Sequence, residues 1–109
     1  MATTYKVLGQ VNPSATTPTT LYTVPSSTST VVSTITVANL GGTSATYRIS
    51  VRPAAAAQTN AMYVAYDVTV AATDTTTLTL GITLATTDVI TVYASSATVA
   101  FNAYGSEIV

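Results

Sequence analysis

The sequence predicts an all-β fold: a single antiparallel β-sandwich of about eight strands, jelly-roll or immunoglobulin-like in arrangement. Three observations predict it. Stretches of strict apolar–polar alternation recur almost to the C-terminus, and side chains alternate faces on a strand with period 2. Turn signals rich in Pro, Gly, Ser and Asp separate these stretches at regular spacing, as in sandwiches and barrels. What is left between them is too short for an ordinary helix, so none longer than two turns is expected. The 109 residues fit one domain, 1–109.

The elements follow in order. Tyr5 to Val11 reads as the first strand, closed by Asn12-Pro13. Residues 12–20 form a Ser/Thr/Pro linker expected to run extended. Leu21 to Val24 is a short strand ended by Pro25. Val31 to Asn39 is a strong strand, with Val31, Ile35 and Val37 expected on one face. Gly41-Gly42 turns the chain, and Thr46 to Arg52 is expected to return beside it as a hairpin, stopped by Pro53. This strand has the clearest alternation: Tyr47, Ile49 and Val51 on the dry side, Arg48, Ser50 and Arg52 on the wet side.

Ala54 to Ala61 lacks alternation and reads as a loop. Tyr63 to Val70 is a strand, with Val64, Tyr66, Val68 and Val70 expected in one register. Thr76 to Leu84 places Leu78, Leu80, Ile82 and Leu84 together, with Gly81 marking a bulge or bend. Val89 to Ala94 turns Ile90 and Val92 inward, and Thr98 to Tyr104 does so with Val99, Phe101 and Ala103. The expected core contains Ile49, Val51, Val68, Leu80, Val92 and Phe101, with Tyr47 and Tyr66. The turns Ala71-Ala72-Thr73-Asp74 and Ala85-Thr86-Thr87-Asp88 look like one turn solution used twice.

Composition excludes several functions. With neither Cys nor His, the chain has no disulfide, thiolate nucleophile or imidazole base. No catalytic, cofactor-binding or metal site is expected, since no residue is suited to activate its many hydroxyls. Charged residues make up 6% against a usual value of about 25%. Three basic residues without a cluster argue against phosphate-driven nucleic-acid binding. No apolar run approaches a membrane-spanning helix, so no membrane partner is expected. The start Met1 to Lys6 lacks the pattern of a secretory signal, and synthesis in a cytoplasm is expected. Threonine, at 25 positions, fills the place of charge and leaves neutral polar faces, which either suit dense packing beside copies or other proteins or simply belong to a β-rich protein with an uncharged surface.

Candidate site residues are few. Asp74 and Asp88 precede strands and are expected to cap turns rather than pair as catalytic or Ca²⁺-binding acids. Arg48 and Arg52 lie four apart on one wet face. They either bond a partner's carboxylates or blunt the sheet against edge pairing, the second being the expectation. Tyr63, Tyr93 and Tyr104 fall on outward registers, beside Ala65, Val89 and Ala100. Tyrosine there serves an interface or simply reflects β-propensity.

The order Leu21-Tyr22-Thr23-Val24-Pro25, Val31 to Asn39, Asp67-Val68-Thr69-Val70, Thr77 to Leu84 and Asp88 to Ala94 resembles a small β-sandwich family of tailed-bacteriophage virion proteins, cyanophage structural proteins in particular. The resemblance spans residues 5 to 107. Turns of that family often read Ala-Gly-Asp where this chain has Ala-Thr-Asp and Thr-Thr-Asp. It implies a non-enzymatic component of the virion, in the capsid, neck or tail, with no catalytic residues. Self-association is expected, a trimer favoured, together with contacts to other virion proteins. The interface expected for it contains Tyr93, Tyr104, Val89, Ala100, Arg48 and Arg52. The alternative is a carbohydrate-binding fibre tip, against which stands the absence of Trp.

Overall fold

The computed structural model describes residues 2–109. Its strands are β1 (Thr3–Val11), β2 (Thr19–Thr23), β3 (Ser29–Asn39), β4 (Ala45–Arg52), β5 (Tyr63–Val70), β6 (Thr75–Leu84), β7 (Val89–Ala94) and β8 (Val99–Ile108). They form two four-stranded sheets, in the orders β1-β8-β3-β6 and β2-β7-β4-β5. Every neighbouring pair is antiparallel. Strands 1, 8, 3 and 6 facing 2, 7, 4 and 5 is the jelly-roll order. The fold is the all-β sandwich that the alternation predicts.

The two sheets meet on residues that the alternation places inside. Ile35, Val37, Val99, Phe101 and Ala103 come from one sheet; Ile49, Ile90, Val92 and Ala94 from the other, all with no exposed surface. Tyr47 and Phe101 join them edge to face, ring centroids 6.2 Å apart at 76°. Such a pair adds about 0.5–1.5 kcal/mol to what its area contributes.

The expected hairpin of β3 and β4 does not exist: the two strands lie in different sheets. Asn39 explains the crossing. Its side chain is buried, and its Nδ2 donates to the carbonyls of Thr43 (2.8 Å) and Val70 (3.3 Å). Its Oδ1 accepts from Gly41 N–H (3.0 Å) and from the Thr98 hydroxyl (2.9 Å). These bonds hold residues 40–44 as a bridge across the end of the sandwich instead of a tight turn.

The residue 12–20 linker is also not simply extended. Pro13 is buried, a turn at Ala15-Thr16 carries the Thr16 N–H to the Ala94 carbonyl (2.8 Å), and β2 has begun by Thr19. A tight left-handed turn at Pro53–Ala55, closed by Ala56 N–H to the Pro53 carbonyl, and a single 3₁₀ turn at Asn60–Met62 punctuate the loop expected at 54–61.

Bulges account for the core residues that alternation misplaces. An extra residue in one strand reverses the face of everything beyond it. In β3 the registers with β8 jump between Val32↔Gly105 and Thr34↔Tyr104, so Ser33 is extra. Thr30 and Val32 therefore face inward on one side of Ser33, and Ile35 and Val37 on the other; Val32, not Val31, is the core residue. In β1 the same step falls at Leu8. In β6 it falls at Leu80-Gly81, where Gly81 has φ +61°, as expected of a bulge there. Leu80 is accordingly 39% exposed rather than core.

β5 is bulged twice, at Val64 and at Tyr66-Asp67, where Asp67 has φ +50°. Only Val70 of its expected inward set is buried. Tyr66 is 55% exposed, and Val64 and Val68 are also exposed on this edge strand. Val51 is only half-buried, near the end of β4.

Two glycines allow close approach near these bulges. A Cβ on Gly105 would lie 2.0 Å from the Val31 carbonyl oxygen, and one on Gly9 would lie 2.1 Å from that of Leu21. Neither position admits a side chain without moving backbone.

The two similar turns are one structure used twice. Thr73 (φ 52°) and Thr87 (φ 67°) are both left-handed. Thr73 N–H bonds the Gly41 carbonyl while Asp74 C=O accepts from Asn39; Thr87 N–H bonds the Val24 carbonyl while Asp88 C=O accepts from Val24. The aspartates cap as expected. Asp74 Oδ1 accepts from Thr75 N–H (2.8 Å), and Asp88 accepts from Ala85 and Ala54 N–H (2.9 Å each). A β-branched residue is strained in the left-handed region by about 1–2 kcal/mol. Glycine relieves this, less an entropic loss of roughly 0.5–1 kcal/mol. Thr73→Gly and Thr87→Gly should each raise stability by about 0.5–1 kcal/mol in urea unfolding. A loss in both would show that the threonine hydroxyls, not the backbone, decide these turns.

At the end of the sandwich opposite Asn39, near the Asp88 turn, the Tyr22 hydroxyl donates to Glu107 Oε2 (2.5 Å) and shares a hydrogen bond with Thr30 (2.8 Å). Lys6 Nζ bonds Glu107 Oε1 (3.3 Å). Burial, then the bond to Glu107, pushes the Tyr22 pKa up to about 12. The Tyr22 hydroxyl, then Lys6, holds Glu107 below the usual carboxylate range. The signs give two limits. Stability contributed by Glu107 is present above its unfolded pKa and lost as pH falls through the folded one. Stability also falls as pH rises above the ordinary tyrosine value near 10, because the unfolded Tyr22 ionises first. Glu107→Gln should lower the melting temperature at pH 7 and flatten its fall on the acid side, read by circular dichroism from pH 2 to 8.

Candidate functional site

The most structured surface is the outer face of the β2-β7-β4-β5 sheet. Arg48 is its centre. The bulge in β5 sets two residues, Tyr66 and Asp67, opposite this one position, and β7 sets Tyr93 directly opposite on the other side. One arginine thus meets a carboxylate and two rings. Its Nε donates to Asp67 Oδ1 (2.6 Å) and its Nη2 to Oδ2 (3.3 Å). Its Cζ sits 4.3 Å from the ring centroids of both Tyr66 and Tyr93. Tyr63 meets Tyr66 edge-on, centroids 4.9 Å apart. The hydrogen bond to Asp67 raises the Arg48 pKa further, so the guanidinium stays charged.

Beside this stack lies a hollow of about 150 Å³. Tyr63, Tyr93 and Pro18 line it with carbon, and Arg48, Arg52, Ser50, Gln58 and Thr91 add polar atoms. Arg52 donates from Nε to the Ala56 carbonyl (2.7 Å), from Nη2 to that of Ala55 (3.0 Å) and from Nη1 to the Thr91 hydroxyl (3.3 Å). The Ser50 hydroxyl bonds Gln58 Oε1 (2.6 Å).

The outer face of the other sheet is plainer. Val7 lies directly opposite Tyr104, and Tyr5 and Val31 lie opposite Ser106. Tyr5 is 84% exposed, Val7 47% and Tyr104 36%. β1 is one free edge of this sheet and β6 the other.

The residues expected to share one interface are therefore divided. Tyr93, Arg48 and Arg52 lie on one outer face, Tyr104 and Ala100 on the opposite one. Val89, expected outward, is buried where the Pro53–Ala55 turn packs on β7. The arginines do not blunt an edge, because β4 is an interior strand between β7 and β5. Arg48 does bond a carboxylate, that of its own Asp67. Tyr66 and Gln58 are site residues that alternation did not reveal: the double bulge put one outside, and Gln58 lies in a loop without periodicity.

Among the described residues no group of three or more His, Cys, Asp or Glu is placed to hold a metal ion. No helix of the described residues is long and apolar enough to cross a membrane. Comparison with known proteins gives no matching family model, no matching curated protein and no matching solved structure.

Cation–π contacts are worth about 0.5–1 kcal/mol at exposed sites. A double-mutant cycle of Arg48→Ala and Tyr93→Ala should return a coupling of about that size in urea unfolding. Zero coupling would mean that the stack contributes nothing beyond burial.

Proposed function

We propose that the chain is a non-enzymatic structural subunit of a bacteriophage particle, located in the virion and joined to copies of itself and to other virion proteins. The observation that carries this reading is the cluster of exposed Tyr5, Val7 and Tyr104, with half-buried Val31 beside them, reaching inward from the neutral β1 edge. Exposed apolar patches with an unpaired strand beside them are where chains associate. Lys6, the charged residue in β1, is already bound to Glu107. Little net charge opposes close approach, since the chain carries −1 overall. Jelly rolls recur in viral capsids, which agrees, although fold alone does not assign function. The resemblance in residues 5 to 107 supports the same reading.

Sedimentation velocity on the full chain tests it. A trimer is the expected species, and Val7→Lys with Tyr104→Lys should shift it toward monomer while leaving the melting temperature within a few degrees. Wild-type protein that stays monomeric at millimolar concentration, and does not bind particles lacking it, would overturn the reading.

A further inference from the structure

The hollow beside the arginine stack has a use independent of assembly. Arg52 is the key. No carboxylate of the described residues lies within 4 Å of it, whereas Lys6 and Arg48 are each paired with one. Its three bonds all go to neutral oxygens. A guanidinium has five N–H donors, so two remain unused. The cation is nevertheless fixed. Two of its acceptors are the carbonyls of Ala55 and Ala56, at the end of a turn in which Ala54 (φ 53°) and Ala55 (φ 57°) are both left-handed. Successive non-glycine residues in that region are strained, and such strain gathers where structure positions a ligand-binding group. The turn is tied down in turn by Asp88, which accepts from Ala54 N–H.

An oriented cation with free donors favours a planar anion, because the guanidinium fork matches a carboxylate in two parallel hydrogen bonds. The rest of the hollow favours a ring with one apolar face and hydroxyls at its rim. Tyr63 and Tyr93 offer aromatic surface, and Gln58 and Thr91 offer amide and hydroxyl groups. The volume, about 150 Å³, is well below that of pockets for drug-sized ligands and suits one ring with the remainder in solvent.

We infer that the hollow lined by Tyr63, Tyr93, Gln58 and Arg52 binds a carboxylated pyranose, a uronate residue of a glycan, with its carboxylate on Arg52. No bond is made or broken; the step is recognition alone.

The test is a titration of the full ¹⁵N-labelled chain, followed by amide shifts, with digalacturonate and a glucuronate disaccharide. Their neutral galactose and glucose counterparts, acetate and inorganic phosphate serve as comparisons. Saturable shifts confined to residues 48–58, 62–64 and 91–93 are expected with at least one uronate, with neutral sugars and acetate at least about tenfold weaker. Arg52→Gln should weaken uronate binding about tenfold or more. Tyr63→Ala, on the rim, gives a second variant should Arg52→Gln disturb the turn, and should weaken both uronates and neutral sugars. Equal binding of uronate and neutral sugar, binding of phosphate in preference, or no localised shift with either uronate would overturn the inference.

Discussion

A residue inserted into a strand reverses the face of every side chain beyond it, and this sandwich is arranged around such insertions. β8 runs without one, and the strands around it adjust. β1 gains Leu8 and β3 gains Ser33 at the level of Tyr104 on β8, and β6 gains a residue at Leu80-Gly81 beside them. The irregularities therefore lie in a line across the sheet. On one side of that line the sheet packs against its partner through Ile35, Val37, Phe101 and Ala103. Beyond it Val32 and Leu84 carry the core on, and further out the inner face becomes polar, with Thr30, Lys6 and Glu107 around the Tyr22 hydroxyl. The glycines fit the same line: Gly9 and Gly105 sit where backbone approaches backbone too closely for a Cβ.

The second sheet uses the same device for a different end. Two insertions in β5, on the sheet's edge, bring Tyr63, Tyr66 and Asp67 to its outer surface. An unbulged strand would present only alternate residues there. Here one arginine position meets three partners, which makes Arg48 a fixed post. That rigidity sets one wall of the neighbouring hollow, and the strained Ala54-Ala55 turn sets the other by holding Arg52. The hollow is thus bounded by groups whose rotamers are constrained, as recognition of a small rigid ligand requires.

The fold class and the strands were legible because period-2 alternation and turn residues are local. β7 and β8 were read correctly inward, at Ile90, Val92, Val99, Phe101 and Ala103. What failed was what depends on non-local pairing. A bulge carries little local signal unless glycine marks it, as at Gly81; Asp67, Val64 and Ser33 do not. Hence alternation alone points Val31 inward where Val32 packs, and places Val68, Leu80 and Tyr66 in a core they do not enter. The hairpin was misplaced for a similar reason. Gly41-Gly42 signals a turn equally well for a return in one sheet and for a crossing between two. The deciding residue, buried Asn39, acts through partners at Val70 and Thr98, far along the chain. The candidate site is half legible: alternation puts Arg48, Arg52 and Tyr93 on outward faces, but their neighbours come from bulges and a loop.

The scarcity of charge gives the surface its character. Lys6 is bound to Glu107, Arg48 to Asp67, and Asp74 and Asp88 are taken up by backbone N–H groups of their turns. Each ion pair cancels two charges, and each cap fixes its carboxylate in a turn, so most of the remaining surface is threonine hydroxyl and apolar side chain. Such a surface offers a neighbour shape and apolar area, with little of the long-range steering that charge supplies. Arg52 is the exception, a positive group bound only to neutral oxygens. On a charged protein one more arginine would mean little. On this one it is the most distinctive electrostatic feature of its face, and it stands at the mouth of a hollow lined by tyrosine.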